Sequence, residues 1–356
     1  MTHRKLFLPG PTEVDDRTLA AMATPMIGHR SSEFRELYRS TSEKLQELLE
    51  TSSSVFVLTG SATMAMEMAV RNACQVRCLN LVCGAFSQRW HEITRACGIE
   101  ADRLDVDWGR AHTPEEVRRA LGESTYDCVT VVYSETSTGI LNPLEAIAET
   151  VREFPDTFLL VDAVSAMGGT KISGDFLGVD VLFAGVQKAF GVPPGIVPCL
   201  VTPRLLERSS AIADKGYFLD FEVHAKAHSK WQTLSTPAIS QLYALNVRLD
   251  QIFEEGLEAV YQRHQDMANI TRTWARERFE LFTDPDYLSP TLTVIRNTRG
   301  ISVAGLNEYL AGKGVVLANG YGSLKEKTFR ISHMGSVQPE EVEELLGWID
   351  EFLEKN

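Results

Sequence analysis

Short apolar runs rich in β-branched residues alternate with stretches of helical spacing through about residue 245. SVFVLTG (54–60), RCLNLVCG (77–84), CVTVVYSE (128–135), TFLLVDAV (157–164), VLFAGV (181–186) and IVPCLVT (196–202) read as strands. MAMEMAVRNA (64–73), FSQRWHEITRACG (86–98) and LEAIAETVREF (144–154) read as helices between them. Strands that are apolar throughout, rather than alternating, are buried on both faces. The pattern therefore predicts a mostly parallel sheet covered on both sides by helices. After a long helical region over 237–280 the rhythm changes. TLTVIRN (291–297) reads as a strand, VAGLNEYLAGKG (303–314) as a helix ended by glycine, and KTFRISHMG (327–335) as another strand. PEEVEELLGWIDEFLEK (339–355) starts on Pro339 with acids in its first turn, and Val342, Leu345, Leu346, Ile349, Phe352 and Leu353 form one apolar stripe. These segments predict a smaller α+β domain over 251–356 behind a large domain over 1–250.

Composition narrows the function classes. The chain has 356 residues, 44% hydrophobic and 23% charged, as expected of a globular protein. A formal net charge of −13 argues against a nucleic-acid or anionic-membrane surface, but leaves room for a local anion site. MTHRKLFLPGPTEV reaches proline and glycine after three apolar residues, which does not suit a signal peptide, and no run is long enough to span a bilayer. There is no internal repeat and no low-complexity block. Cys74, Cys78, Cys83, Cys97, Cys128 and Cys199 form no CxxC pair. Four fall between 74 and 97, which raises a zinc site, but their strand-like surroundings favour buried free thiols, no metal and a reducing cytoplasm.

Candidate chemistry collects where strands end. Asp162 closes TFLLVDAV, and Lys188 follows VLFAGV 26 positions later, room for a crossover and a return strand. An isolated aspartate there is a cap or turn acid, and an isolated lysine a solvated charge. In an open parallel sheet, however, both would lie at the carboxyl edge, where ligands bind. A lysine and a carboxylate together there suit pyridoxal phosphate, one as the amine for the carbonyl and the other as partner to the pyridine nitrogen. Gly60-Ser61-Ala62-Thr63, between a strand and a helix, can cradle a phosphate with backbone N–H groups and two hydroxyls. No GxGxxG follows the first strand and no GxxxxGK[ST] occurs, so dinucleotide and P-loop readings lack support. Phe86 is either a core residue of a first helical turn or a ring that stacks on a cofactor. Thr136 is either a local cap or a hydroxyl reaching the cofactor ring.

GSATMAME, SETSTG, VDAVSAMGG and QKAFGVPPG, in this order, resemble the class V (fold-type I) pyridoxal phosphate aminotransferases. The likeness runs from LPGPTEV to FRISHMG and is nearest the alanine/serine–glyoxylate/pyruvate branch and the related small aspartate aminotransferases. It implies a large domain built on a mostly parallel seven-stranded sheet, with the N-terminal 1–20 segment packed at the substrate pocket. It makes Lys188 the Schiff-base lysine and Asp162 the partner of the pyridine nitrogen. Ser61, Ala62, Thr63 and Gln187 would hold the phosphate, Phe86 would stack on the ring and Thr136 would lie beside it. Arg330 would grip the substrate α-carboxylate, and Gly10 would line the pocket. The family is dimeric, and WQTLSTPAIS, through Ser235 and Thr236, would complete the partner's phosphate site. Some relatives carry a tyrosine where Gln232 falls. The implied reaction is ping-pong transamination between alanine or serine and glyoxylate or pyruvate. His29 and Arg30 either form a surface turn or bring a second charge to the pocket, which would favour aspartate or another dicarboxylic or phosphonate donor. Desulfurases of this fold stack a histidine and carry a mobile C-terminal cysteine, which Phe86 and the cysteine positions do not match. A non-catalytic paralogue is opposed by Lys188, Asp162 and Arg330 occurring together.

Overall fold

A computed structural model of the chain describes residues 3–355. Seven strands lie in the order Ser54–Thr59, Ile196–Val201, Val181–Phe183, Phe158–Asp162, Cys128–Val132, Arg77–Val82, Glu100–Asp105. Ile196–Val201 runs against both of its neighbours, and the remaining strands point one way. Side chains alternate between two cores, one on each face. Val55, Val57, Leu159 and Val161 enter the first, with Phe34 and Leu45 of the helix Ser32–Leu48 and Leu245 of Ile239–Glu255. Phe56, Leu58, Phe158 and Leu160 enter the second, with Met66 of Ala62–Ala73 and Trp90 of Ala85–Ala96. Each such fully buried side chain contributes roughly 1.5–3 kcal/mol, so the doubly covered sheet forms a stiff platform beneath its loops.

Several expected strands are shorter or interrupted. The run from 181 leaves its ladder after Phe183, and the segment up to Lys188 continues as buried loop. The run from 128 breaks at Tyr133, after which Ser134–Glu135 pairs with Ile140–Leu141 in a small hairpin. The run from 77 ends at Val82, so Cys83 and Gly84 are free to turn into the next helix. One strand of the sheet has no apolar signature: Glu100–Asp105, with the sequence EADRLD, is an edge strand paired only to Arg77–Val82. Water on its outer side permits the charges that hid it.

A second sheet of five strands has its own core. Leu292–Arg296, Thr328–Ser332 and Val315–Asn319 form its antiparallel centre, with Glu280–Leu281 at one edge. Lys5–Phe7 adds at the other edge, parallel to Val315–Asn319. The long helical region is two helices, Ile239–Glu255 and Leu257–Arg278, broken at Gly256 with φ +92°. The final helix spans Pro339–Lys355, and all six residues of its expected stripe are buried. From Lys5–Phe7 the chain crosses back to the first sheet. There the Thr12 N–H donates to the Gln187 carbonyl at 3.1 Å and its hydroxyl to the Lys188 carbonyl at 2.8 Å.

Five of the cysteines are buried and Cys97 is half-buried, and all six are free thiols. Among the described residues no helix is long and apolar enough to cross a membrane, and no group of three or more His, Cys, Asp or Glu is arranged to hold a metal.

Candidate active site

The strands ending at Thr59, Val82, Val132, Asp162 and Phe183 open onto one edge, and the loops that follow them enclose a cavity of about 370 Å³. Ser61, Ala62 and Thr63 line it on one side, with Gln187 and Lys188. Phe86, Thr136, Asp162 and Gly10 line it as well.

Lys188 is a buried amine. Its Nζ donates to the Pro9 carbonyl and lies 6.0 Å from the centre of the Phe86 ring. Burial, aided by the nearby Arg330 charge and partly opposed by Asp162 and Glu135, lowers its pKa from 10.5 to about 8. Gly10 is what lets the backbone pass so close. Its φ is +127°, and a Cβ there would lie 2.6 Å from Lys188 Cδ and 2.8 Å from Nζ. The atoms in the way are the reactive end of a flexible side chain, so a substitution displaces the amine before it damages the fold. Gly10→Ala is therefore expected to lower turnover by about 100-fold, since a misplacement of about 1 Å costs that much. Circular dichroism of the variant should remain native; a fully active Gly10→Ala protein would contradict this reading.

Asp162 is the last residue of its strand, and its Oδ1 accepts from the Val164 N–H at 2.8 Å. Burial, partly opposed by the Val164 N–H, Lys188 and Arg89 and reinforced by the Glu135 charge, raises its pKa from 3.8 to about 7. Such a carboxyl is poised to ionise against a bound N–H donor.

At the start of Ala62–Ala73 the N-cap is Ser61, which makes no side-chain cap bond. The first-turn N–H groups are thus left without a side-chain cap where Ser61, Ala62 and Thr63 line the cavity, an arrangement suited to an anion. Beside it, Gln187 folds back over Gly185, where a Cβ would come within 2.6 Å of Gln187 Oε1.

The sequence reading passed over Glu135. This fully buried carboxylate accepts from the Phe86 and Ser87 N–H groups and the Ser87 hydroxyl, all at the start of Ala85–Ala96. The Ser137 N–H and hydroxyl bind its other oxygen at 3.1 and 2.6 Å. Glu135 thereby fixes the helix turn that carries Phe86, with its charge at the positive end of the helix. The available signal was an acid directly after a strand, together with a helix start, GAFS, that lacks an acidic cap of its own.

The Thr136 hydroxyl shares a 2.6 Å hydrogen bond with Ser165. Arg330 stands beside the cavity rather than lining it. Its Nε donates to the Asn319 carbonyl at 3.0 Å and its Nη1 to the Thr136 carbonyl at 3.3 Å, and burial lowers its pKa to about 10. Arg89, one helical turn beyond Phe86, does line the cavity, and nothing in the sequence drew attention to it.

Some sequence candidates lie elsewhere. Ser235 and Thr236 are exposed and outside this chain's cavity. Arg30 is exposed too. It does not enter the cavity of its own chain but donates to Gln232 Oε1 at 3.2 Å and to the Thr233 carbonyl at 2.8 Å, holding the segment that leads to Ser235.

The class-V aminotransferase family model matches residues 16–345. The chain belongs to the class-V aminotransferases. It is 39% identical over 346 residues to an uncharacterised aminotransferase of Methanocaldococcus jannaschii, covering 95% of this chain and 89% of that protein. An alanine–glyoxylate aminotransferase from Nostoc superposes with a TM-score of 0.94 at 29% identity, over 99% of this chain and 96% of the other. A subgroup IV aspartate aminotransferase from Thermus thermophilus gives 0.91 at 31% identity, over 99% of both chains. The fold is that of the fold-type I pyridoxal phosphate aminotransferases, and the enzyme is a pyridoxal 5'-phosphate-dependent transaminase. The residues present fit that cofactor on three observations: an uncapped helix start for its phosphate, a desolvated carboxyl for its ring nitrogen, and a buried amine of lowered pKa for its carbonyl.

Proposed function

We propose that this enzyme moves the amino group of a small amino acid, alanine or serine, to glyoxylate or pyruvate by a ping-pong route. The observation that carries the reading is Lys188, a desolvated amine next to Asp162 and within electrostatic reach of the Arg330 guanidinium. When bound, pyridoxal 5'-phosphate supplies an electron sink for charge that develops on the substrate's α-carbon. Lys188 Nζ, neutral more readily because of its burial, takes the α-proton and later returns it. Asp162 would hold the proton on the pyridine nitrogen and Phe86 would support the ring. Ser61, Ala62, Thr63 and Gln187 would hold the phosphate, and the Thr136 hydroxyl, fixed by Ser165, would contact the ring. Gly10, with Pro9, closes the substrate side over Lys188 and limits water there.

Arg330 binds the α-carboxylate. Its two bonds to main-chain carbonyls fix the guanidinium and leave further N–H donors for a bidentate pair. The likeness to an alanine–glyoxylate aminotransferase supports a small donor. The enzyme acts as a homodimer in the cytoplasm. Ser235 and Thr236, exposed and away from their own cavity, reach the partner's phosphate site, and Arg30 steadies that segment.

A panel of amino donors against glyoxylate and pyruvate, followed by oxo-acid release, tests the substrate reading. Alanine or serine should turn over with at least one of the two acceptors. No turnover of either donor with either acceptor would overturn it.

A further inference from the structure

Tyr321 stands where the two sheets face each other, and it touches both Arg330 and Phe86. Arg330 Cζ lies over its ring, 5.5 Å from the centre. The Phe86 ring is tilted 45° to it with centroids 5.4 Å apart, and Arg89 Nη2 donates to its hydroxyl at 3.2 Å. The loop that presents Tyr321 is tightly folded. Gly320 packs so closely that a Cβ there would run into the Leu324 carbonyl and come within 2.5 Å of Thr328 Oγ1. Its N–H donates to the Thr328 carbonyl at 2.9 Å, and the Leu324 N–H closes back on the Tyr321 carbonyl at 3.0 Å. The same loop leaves its strand at Asn319, whose carbonyl accepts from Arg330 Nε at 3.0 Å. Arg330 is therefore held at its edge by the Asn319 and Thr136 carbonyls and on one face by an aromatic ring. A guanidinium fixed only at its edge still tilts; a ring against its face removes that freedom, and the negative ring face attracts the cation.

We propose that Tyr321 is a positioning residue: its ring fixes the Arg330 guanidinium relative to Phe86, so that the carboxylates of the amino donor and of the oxo acid are both held in register with the cofactor. This rests on the reading of Arg330 as the α-carboxylate ligand. Amino donor and oxo acid each carry a carboxylate on the reacting carbon, so the effect falls on both halves of the reaction. A residue that selects one side chain would act on one half alone. Tyr321 also joins the two parts of the molecule, since Arg330 belongs to a strand of the second sheet and Phe86 to the helix Ala85–Ala96 beside the first.

Propionate has the carboxylate but neither an amino nor an oxo group, so calorimetric titration of the cofactor-saturated holoenzyme reads binding apart from turnover. Tyr321→Leu removes the ring and should weaken propionate about fivefold or more, as expected for a partly desolvated cation–π contact. It should lower kcat/KM for the amino donor and for the oxo acid by a common factor. Tyr321→Phe keeps the ring and loses the hydroxyl bond to Arg89, and its propionate affinity should stay within about twofold of the wild type. Pentafluorophenylalanine at position 321 keeps that shape but reverses the polarity of the ring face, so it should bind propionate as weakly as Tyr321→Leu. Arg330→Gln should itself weaken propionate, and adding Tyr321→Leu to it should cost less than about twofold more. Propionate binding that is unchanged in Tyr321→Leu, or weakened equally by Tyr321→Phe, overturns the proposal. So does an undiminished effect of Tyr321→Leu in the Arg330→Gln protein, because the ring then acts elsewhere. If Tyr321→Leu loses its fold or cofactor, the fluorinated ring decides, and an affinity equal to that of Tyr321→Phe overturns the proposal. If Arg330→Gln leaves propionate binding intact, the α-carboxylate reading itself fails, whatever Tyr321 does.

Discussion

Replacing Lys188 with alanine leaves a folded protein whose transamination rate is lower by at least about ten-thousand-fold, the upper range for loss of a positioned acid–base group. The same substitution raises the stability of the cofactor-free protein at pH 7. The folded-state pKa of Lys188 is about 8 against an ordinary 10.5, so the unfolded chain binds more protons between those values. Stability of the wild-type apoprotein therefore rises with pH from about 8 to 10.5, and the burial penalty is fully present below 8. Removing the amine relieves a cost on the order of 3 kcal/mol at neutral pH, a benefit that fades as pH climbs through that window. Thermal melts of both apoproteins at pH 7 and pH 10, beside single-turnover assays, check both halves. A lysine at an ordinary surface site would show neither effect.

Asp162→Asn carries the second large effect, with the opposite pH dependence. Asparagine cannot offset the charge of a protonated pyridine ring, so turnover should fall by at least about 100-fold, as for loss of a preorganised electrostatic partner. The folded-state pKa of Asp162 is raised to about 7 from 3.8, so between these values the folded apoprotein holds a proton that the unfolded chain has released. Wild-type apoprotein should lose stability as pH rises from about 4 to 7, and the variant should lack this component. The gap should reach the order of 4 kcal/mol by pH 8. Melting curves across pH 4 to 8 read it directly. Identical slopes for the two proteins would show that Asp162 is solvated or already paired. Burial thus costs stability at both residues, a common feature of active sites.

Much of this site was legible in the sequence because parallel sheets convert order along the chain into proximity at one edge. Asp162, Lys188, the Ser61 turn, Phe86 and Thr136 each follow an apolar strand, so recognising the strands gathers the residues. The final helix was equally plain, since its stripe has only one face to bury. Other parts depend on contacts that sequence spacing does not encode. Glu135 reads as a turn acid, and its importance comes from the first turn of Ala85–Ala96 folding onto it. Arg89 and Tyr321 lie 232 positions apart and meet only because the two sheets face each other across the cavity. The strand Glu100–Asp105 carries charges that an edge tolerates and a pattern search rejects. Ser235 and Thr236 are exposed and lie away from the cavity, so no contact within the chain marks them.

The central claim is that Lys188 is the amine that captures the cofactor. Borohydride reduction of the holoenzyme, followed by proteolysis and mass spectrometry, identifies the lysine that carries it. A phosphopyridoxyl group on Lys188 and on no other lysine is the predicted result. The group on another lysine such as Lys215, or no modified lysine in a protein saturated with cofactor, would contradict the account.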